Sequence, residues 1–209
     1  MFFVEIITLP ISAVTGRLAQ KTLVHNHRMN CISTELDGLY IIEPNVFGDE
    51  RGYFLESFSQ RVFAKAGIDV NFVQDNESMS NKGVLRGLHY QAPPHAQGKL
   101  VSVVQGSVFD VAVDIRTNSP TYGKHFAAII SSENKRRLYI PPGFAHGFLT
   151  LEDRTIFQYK CTDFYAPECE GGIAWNDPTL DIKWPSKHEL IISEKDKTNP
   201  LFSEFTSPF

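Results

Sequence analysis

From Gly38 onward the chain is a succession of short apolar runs separated by turn residues, rich in β-branched and aromatic side chains. Leu39–Ile42 comes first, then the turn Gly48-Asp49-Glu50-Arg51-Gly52 and the run Tyr53–Phe58. Val70–Asn76, Val84–Gln91, Lys99–Gln105 and Val108–Ile115 follow, and His125–Ile130, Arg137–Ile140, Phe144–Leu151 and Thr155–Cys161 continue the series. The dipeptide Gly106-Ser107 predicts a tight hairpin between its flanking runs. One stretch reads as helix, Ser59 to Ala66, with Gly67 placed to close it. Many short strands with almost no helix predict an all-β fold, a jelly-roll barrel or β-sandwich with a few short helices.

Residues 1–37 lack any such period and read as an N-terminal extension, disordered or not native, with Met29 as an alternative start. Residues 38–209 then form a single domain. The chain has 209 residues, 42% hydrophobic and 12% aromatic, enough for a sizeable core. A net charge of -4 gives no electrostatic reason for a nucleic acid or anionic membrane partner. Three cysteines, Cys31, Cys161 and Cys169, form no CxxC pair, which disfavours a zinc site or disulfide framework. The apolar opening Met1–Leu9 is interrupted by Glu5, lacks a basic flank and is too short to span a bilayer. A soluble, cytoplasmic protein is expected.

Candidate chemistry gathers in four stretches. In Gly83–Gln91, Arg86 and His89 lie three apart, so regular alternation would point them to opposite faces. Gly87 between them is a natural bulge site that brings both to one face, placing anion binding beside a proton-transfer base. In Ile140–Phe148 the rigid Pro-Pro-Gly turn delivers His146 to a strand, in the shape of the second motif of cupin barrels. A metal cupin also needs a His-x-His pair and a later Glu; here Tyr90-Gln91 follows His89 and Lys99 lies beyond, whose ammonium repels a divalent cation. A metal-free site is expected. In Phe157–Pro167, Tyr159 has a phenol suited to giving a proton to a carbanion, and Tyr165 an aromatic ring able to stack on a planar base. In Leu190–Asp196, Asp196 either folds back onto a buried imidazole or sits on a solvated helix start.

Taken together these stretches resemble the dTDP-4-dehydrorhamnose 3,5-epimerase family of sugar-nucleotide cupins, from about Leu39 to beyond Asp196. The matching motifs are Phe47–Gly52, Gln74-Asp75-Asn76, Val84–Gln91, Gln97–Val101, Val108–Arg116, the run Pro141–Phe148, and Trp175-Asn176-Asp177-Pro178. The resemblance implies a cupin-type jelly roll and a cofactor-free, metal-independent epimerase acting on dTDP-4-dehydro-6-deoxy-D-glucose, whose C4 ketone acidifies C3 and C5. It implies His89 as base backed by Asp196, Tyr159 as acid on the opposite face, and Lys99 near the C4 oxygen, where its charge stabilises the enolate. It further implies substrate contacts from Arg51, Glu56, Gln74, Asn76, Arg86, His146, Glu170 and Lys195, with Tyr165 on the thymine. Asp75 belongs to the same motif, though alternation turns it away.

Such a family member is expected to be a homodimer feeding dTDP-L-rhamnose synthesis. Competing readings are a mono-epimerase or keto-isomerase on a related sugar nucleotide, a non-catalytic sugar-nucleotide binder, and a metal-dependent cupin oxygenase. Retention of both His89 and Tyr159 favours the double epimerase, and the complete His, Tyr, Lys and Asp set counts against a non-catalytic binder.

Overall fold

The computed structural model describes residues 23–25, 28–186 and 189–209. The strands, in chain order, are β1 (Leu23–His25), β2 (Met29–Ser33), β3 (Tyr40–Pro44), β4 (Val46–Asp49), β5 (Gly52–Leu55), β6 (Gln74–Ser80), β7 (Val84–Gln91) and β8 (Lys99–Gln105). They continue with β9 (Ser107–Asp114), β10 (His125–Ser131), β11 (Arg137–Ile140), β12 (Phe144–Thr150), β13 (Thr155–Cys161), β14 (Glu170–Gly172) and β15 (Ile191–Ile192). Two short helices are α1 (Gln60–Lys65), which begins after Ser59 and is followed by Gly67 at φ +82°, and α2 (Glu194–Lys197). No helix among the described residues is long and apolar enough to cross a membrane.

Two sheets form the body. One runs β1-β2-β3-β11-β8-β13-β6; the other runs β10-β9-β12-β7-β14, with β15 added beside β7. Their facing sides alternate apolar residues inward: Val101, Val103, Leu138, Ile140 and Phe157 from the first meet Val108, Ala112, Ile130, Phe144 and Phe148 from the second. The outer face of the first sheet is covered by α1 through Val62 and Phe63, which pack on Ile42, Leu100 and Tyr139. The outer face of the second is covered by the C-terminal segment, where Leu180, Trp184, Phe202, Phe205 and Phe209 lie over Val111, Val113 and Ile115. The expected all-β sandwich is therefore the fold, and its interior is filled by apolar side chains at one end and open at the other.

Three expectations about its pieces are corrected. Gly106 does not head a hairpin: β8 and β9 lie in different sheets, β8 beside β11 and β13, β9 beside β10 and β12. Gly106, at φ +80°, turns the chain from one layer into the other, close against Thr155 where a Cβ would collide. Both runs are apolar on the inward phase, so each satisfies its alternation in its own sheet, a distinction that turn chemistry alone does not encode.

The strand placed over Val70–Asn76 is shifted to Gln74–Ser80. Val70 and Phe72 instead pack with the α1 cluster, while the polar alternation of Gln74, Asn76, Ser78 and Ser80 provides the edge strand beside β13. The domain boundary at 38 also moves upstream. Met29–Ser33 pairs with Tyr40–Pro44, burying Met29 and Cys31 completely beside Ile42. The start proposed at Met29 would keep this strand, whereas residues 1–22 lie outside the described residues.

Candidate active site

Strand β7 carries the irregularity that alternation demanded. In its pairing with β12, Arg86 faces Phe148 and His89 faces His146, so Gly87 and Leu88 together oppose Gly147 alone. Gly87 sits at φ +119°, and a Cβ there would lie 2.5 Å from the Gly147 Cα. The Gly87-Leu88 peptide is cis. The extra residue returns Arg86 and His89 to the same side of the sheet, and both line a cavity of about 570 Å³.

That cavity occupies the open end of the sandwich. Arg86, His89 and His146 enter from one sheet, Lys99 and Tyr159 from the other, and Lys195 and Asp196 from α2. A second cavity of about 240 Å³ adjoins it, sharing His89, Lys99 and Tyr159 and continuing to Gln74, Asn76, Tyr165 and Glu170. Every predicted site residue from the sandwich end is thus gathered along one cleft.

Two imidazoles in the cleft are backed by carboxylates. His89 Nε2 lies 2.6 Å from Asp196 Oδ1, and the other oxygen of Asp196 accepts the Gly87 backbone N–H at 3.2 Å. Asp196 is 4% exposed, and it lies on α2, whose N-terminal Ser193 hydroxyl accepts the Asp196 N–H. Burial raises the pKa of Asp196, but the hydrogen bonds from His89, Gly87 and Ser193 outweigh it and hold the carboxyl below its usual range. The second imidazole, His146, places Nε2 3.0 Å from both oxygens of the fully buried Asp110.

Opposite the imidazoles, burial pushes the Tyr159 phenol up, with the nearby Cys161 adding to the effect and Arg86 opposing it. The phenol therefore holds its proton at neutral pH. Lys99 Nζ stands 5.8 Å from the Tyr159 ring centroid, and desolvation lowers its pKa against the counteracting fields of Cys161, Glu170 and Asp110. At the rim, Glu170 accepts hydrogen bonds from both Tyr165 Oη at 2.9 Å and Lys195 Nζ at 2.5 Å. Among the described residues no three His, Cys, Asp or Glu side chains converge as metal ligands.

Three predicted residues stay outside the cleft. Asp75 points to the outer face and pairs with Lys160 at 2.9 Å, as the strand's alternation requires. Arg51 lies on the exposed β4–β5 turn, ion-paired with Asp49, and Glu56 follows that hairpin; neither lines the two cavities. Sequence reasoning gave no role to Asp110, Ser78, Ser80 or Ser193. For Asp110 the signal was present: in Val108–Ala112 it holds the inward phase of an otherwise apolar strand, where an acid needs a buried partner. For Ser80 there was none, since only the fold shows its hydroxyl accepting from Arg86 Nε and an Arg86 terminal nitrogen at 3.3 Å.

A β-sandwich whose open end sets a carboxylate-backed imidazole against a protonated phenol, beside cations and an exposed aromatic, fits an epimerase of the sugar-nucleotide class. The chain belongs to the dTDP-4-dehydrorhamnose 3,5-epimerase family, whose model matches residues 33–204. It is 56% identical over 179 residues to the dTDP-4-dehydrorhamnose 3,5-epimerase of Methanothermobacter thermautotrophicus, covering 82% of this chain and 96% of that one. The crystal structure of the enzyme of that name from Elizabethkingia anophelis superposes with a TM-score of 0.82 at 49% identity, covering 85% of this chain and 98% of the other. A dTDP-6-deoxy-D-glucose-3,5-epimerase from Legionella pneumophila, solved in complex with dTDP-4-keto-L-rhamnose, gives 0.80 at 55% identity, covering 84% and 93%.

Proposed function

We propose that this chain epimerises C3 and C5 of dTDP-4-dehydro-6-deoxy-D-glucose, giving dTDP-4-dehydro-L-rhamnose, with His89 as base and Tyr159 as acid. The observation that carries the assignment of roles is their placement: His89 with Asp196 enters the cleft from one sheet and Tyr159 from the other. Inversion needs a proton removed from one face of a planar enolate and delivered to the other, and two groups on one wall would mostly return it to the side it left.

An ionised Asp196 only accepts, so the shared proton resides on His89 Nε2 and leaves Nδ1 with the lone pair that takes the substrate proton. As charge moves to the C4 oxygen, the ammonium of Lys99 stabilises it in a site where little water competes. Tyr159 then donates to carbon from the opposite face. Each inversion leaves His89 protonated and Tyr159 ionised, and exchange with solvent resets both.

Arg86 and Lys195 suit the diphosphate, with His146 held by Asp110 beside them. Gln74, Asn76, Glu170 and Tyr165 suit the nucleoside, with the Tyr165 ring on the thymine. Arg51 and Glu56 complete the contacts from a second copy in a homodimer. The support is the β4–β5 hairpin, which leaves Phe47, Tyr53 and Phe54 47–60% exposed and would be marginal alone. Three unpaired thiols suit a reducing cytosol.

The deciding experiment supplies the 4-keto sugar nucleotide in D₂O and follows C3 and C5 by NMR. Deuterium is expected at both carbons with the wild-type chain, none with His89→Ala, and impaired inversion with Tyr159→Phe. Incorporation at one carbon only would recast the chain as a mono-epimerase, and wild-type turnover in His89→Ala would remove His89 from its role.

A further inference from the structure

Three glutamines belong to motifs around the cleft, and the proposed chemistry uses only one of them, Gln74. Their side-chain amides converge on one stretch of backbone, Asp163–Ala166. Gln97 Nε2 donates to the Asp163 carbonyl at 2.8 Å, and Gln91 Nε2 donates to the Phe164 carbonyl at 2.9 Å. Gln74 Oε1 accepts the Tyr165 N–H at 3.0 Å, and Gln91 Oε1 accepts the Ala166 N–H at 2.9 Å. The second hydrogen of the Gln91 amide goes to the His95 carbonyl at 2.5 Å.

This arrangement is unusual for a surface segment. Phe164 and Tyr165 are 63% and 55% exposed, so burial contributes little to holding them, and such loops are ordinarily mobile. Here successive backbone groups are fixed instead, by amides reaching out of β6, out of β7, and from just ahead of β8. Gln91 is itself 5% exposed, and both its amide hydrogens and its oxygen are used. An apolar side chain would fill that position without the cost of burying an amide, so packing does not account for it. What the amide adds is a fixed distance between two points. Gln91 lies two residues beyond His89 on β7 and opposite Glu170 in the β7–β14 register, and Glu170 accepts the Tyr165 hydroxyl.

We infer that Gln91, aided by Gln97, is a positioning residue that ties the base-stacking ring of Tyr165 to the strand bearing His89. The inference rests on the proposed placement of thymine on Tyr165. It makes nucleotide recognition and proton abstraction share one strand, with the Tyr165 ring held ready for the incoming thymine. Preorganising an exposed aromatic in this way removes its ordering cost at binding.

The test is calorimetric titration of Gln91→Met, Gln97→Met, Tyr165→Ala and the double variant Gln91→Met/Tyr165→Ala with dTDP and, separately, with inorganic pyrophosphate. Loss of one stacked base contact corresponds to about 10-fold weaker dTDP binding. Gln91→Met and Tyr165→Ala are each expected to show that loss with pyrophosphate binding unchanged, and the double variant no further loss. In turnover, Gln91→Met should raise KM with kcat nearly retained. Equal weakening toward dTDP and pyrophosphate, or wild-type dTDP binding by a folded Gln91→Met chain, would overturn the inference while leaving Tyr165 in its role. Wild-type dTDP binding by Tyr165→Ala would overturn the reading of Tyr165 itself, and the tie with it. Should Gln91→Met not fold, the half-buried Gln97→Met, which forfeits a single hydrogen bond, carries the same expectation, and its binding dTDP like wild type would then count against the inference.

Discussion

Asp196 grips two points of β7 at once, His89 through one carboxylate oxygen at 2.6 Å and the bulged Gly87 N–H through the other at 3.2 Å. The bulge that turns His89 into the cleft therefore also supplies the backbone donor that fixes its carboxylate. Tautomer, ring orientation and strand irregularity are one arrangement.

Asp196→Asn separates these functions. The Gly87 N–H claims the amide oxygen, so the amide NH₂ faces His89 and forces the ring proton onto Nδ1, where the lone pair is needed. A fall in kcat of about 10²- to 10⁴-fold, with KM little changed, is expected. Steady-state kinetics with a thermal melt to confirm folding check this; kcat within threefold of wild type would show that Asp196 does not set the tautomer.

Lys99→Met should cost activity without costing stability. The ammonium is desolvated and no carboxylate hydrogen-bonds it among the described residues, so an apolar replacement of similar length is expected to leave stability unchanged or raise it by about 1 kcal/mol. Removing the charge proposed to meet the enolate should cost about 10²–10³ in kcat. Urea unfolding measured alongside turnover decides, and a destabilised yet active variant would contradict both halves.

Gly87→Ala tests the bulge directly. At φ +119°, an added Cβ would lie 2.5 Å from the Gly147 Cα and 2.8 Å from the His146 carbonyl, both backbone atoms that cannot swing aside. The combined strain and overpacking are expected to cost about 3 kcal/mol. A Tm within two or three degrees of wild type would mean that the strand relaxes there.

Asp114 gives the fold a pH signature distinct from catalysis. It is fully buried; burial raises its pKa, but hydrogen bonds from Arg116, Ser119 and Thr121 outweigh this and bring it from 3.8 to about 2. A depressed carboxylate pKa stabilises the fold above its unfolded value and loses that contribution as pH falls through the folded one. Between pH 4 and pH 2 about 2 kcal/mol should therefore disappear. Unfolding free energies measured across that range check the slope, which Asp114→Asn should flatten.

Much of this was legible before any coordinates. The alternation at Gln74 and Asn76 encodes a shared face, although the strand that carries them extends on to Ser80 rather than back to Val70, and the Arg86–His89 spacing with Gly87 between announced the bulge. What remained hidden was sheet membership. Gly106-Ser107 has the chemistry of a hairpin, yet partner choice depends on inter-sheet packing of Val103 and Val108, which local pattern does not record. The Gln91 amide was equally silent, because its partners at Phe164 and Ala166 are backbone groups 73 and 75 residues away. The strand Met29–Ser33 was missed because its buried residues are a Met and a Cys with polar neighbours, a weak β signal.

The passage of the chain at Gly106 from one sheet to the other also has a kinetic side. Because β8 and β9 do not pair, and β13 finds β8 and β6 only across separations of 51 to 87 residues, the sheet that carries Lys99 and Tyr159 cannot be completed from neighbouring strands. Long loops must close before pairing rewards them, which places this chain among slow folders. The proposed acid Tyr159, the proposed base His89 and the carboxylate of Asp196 arrive on β13, β7 and α2. Turnover is thus a late signal in refolding, one that reports the finished topology rather than the growth of sheet.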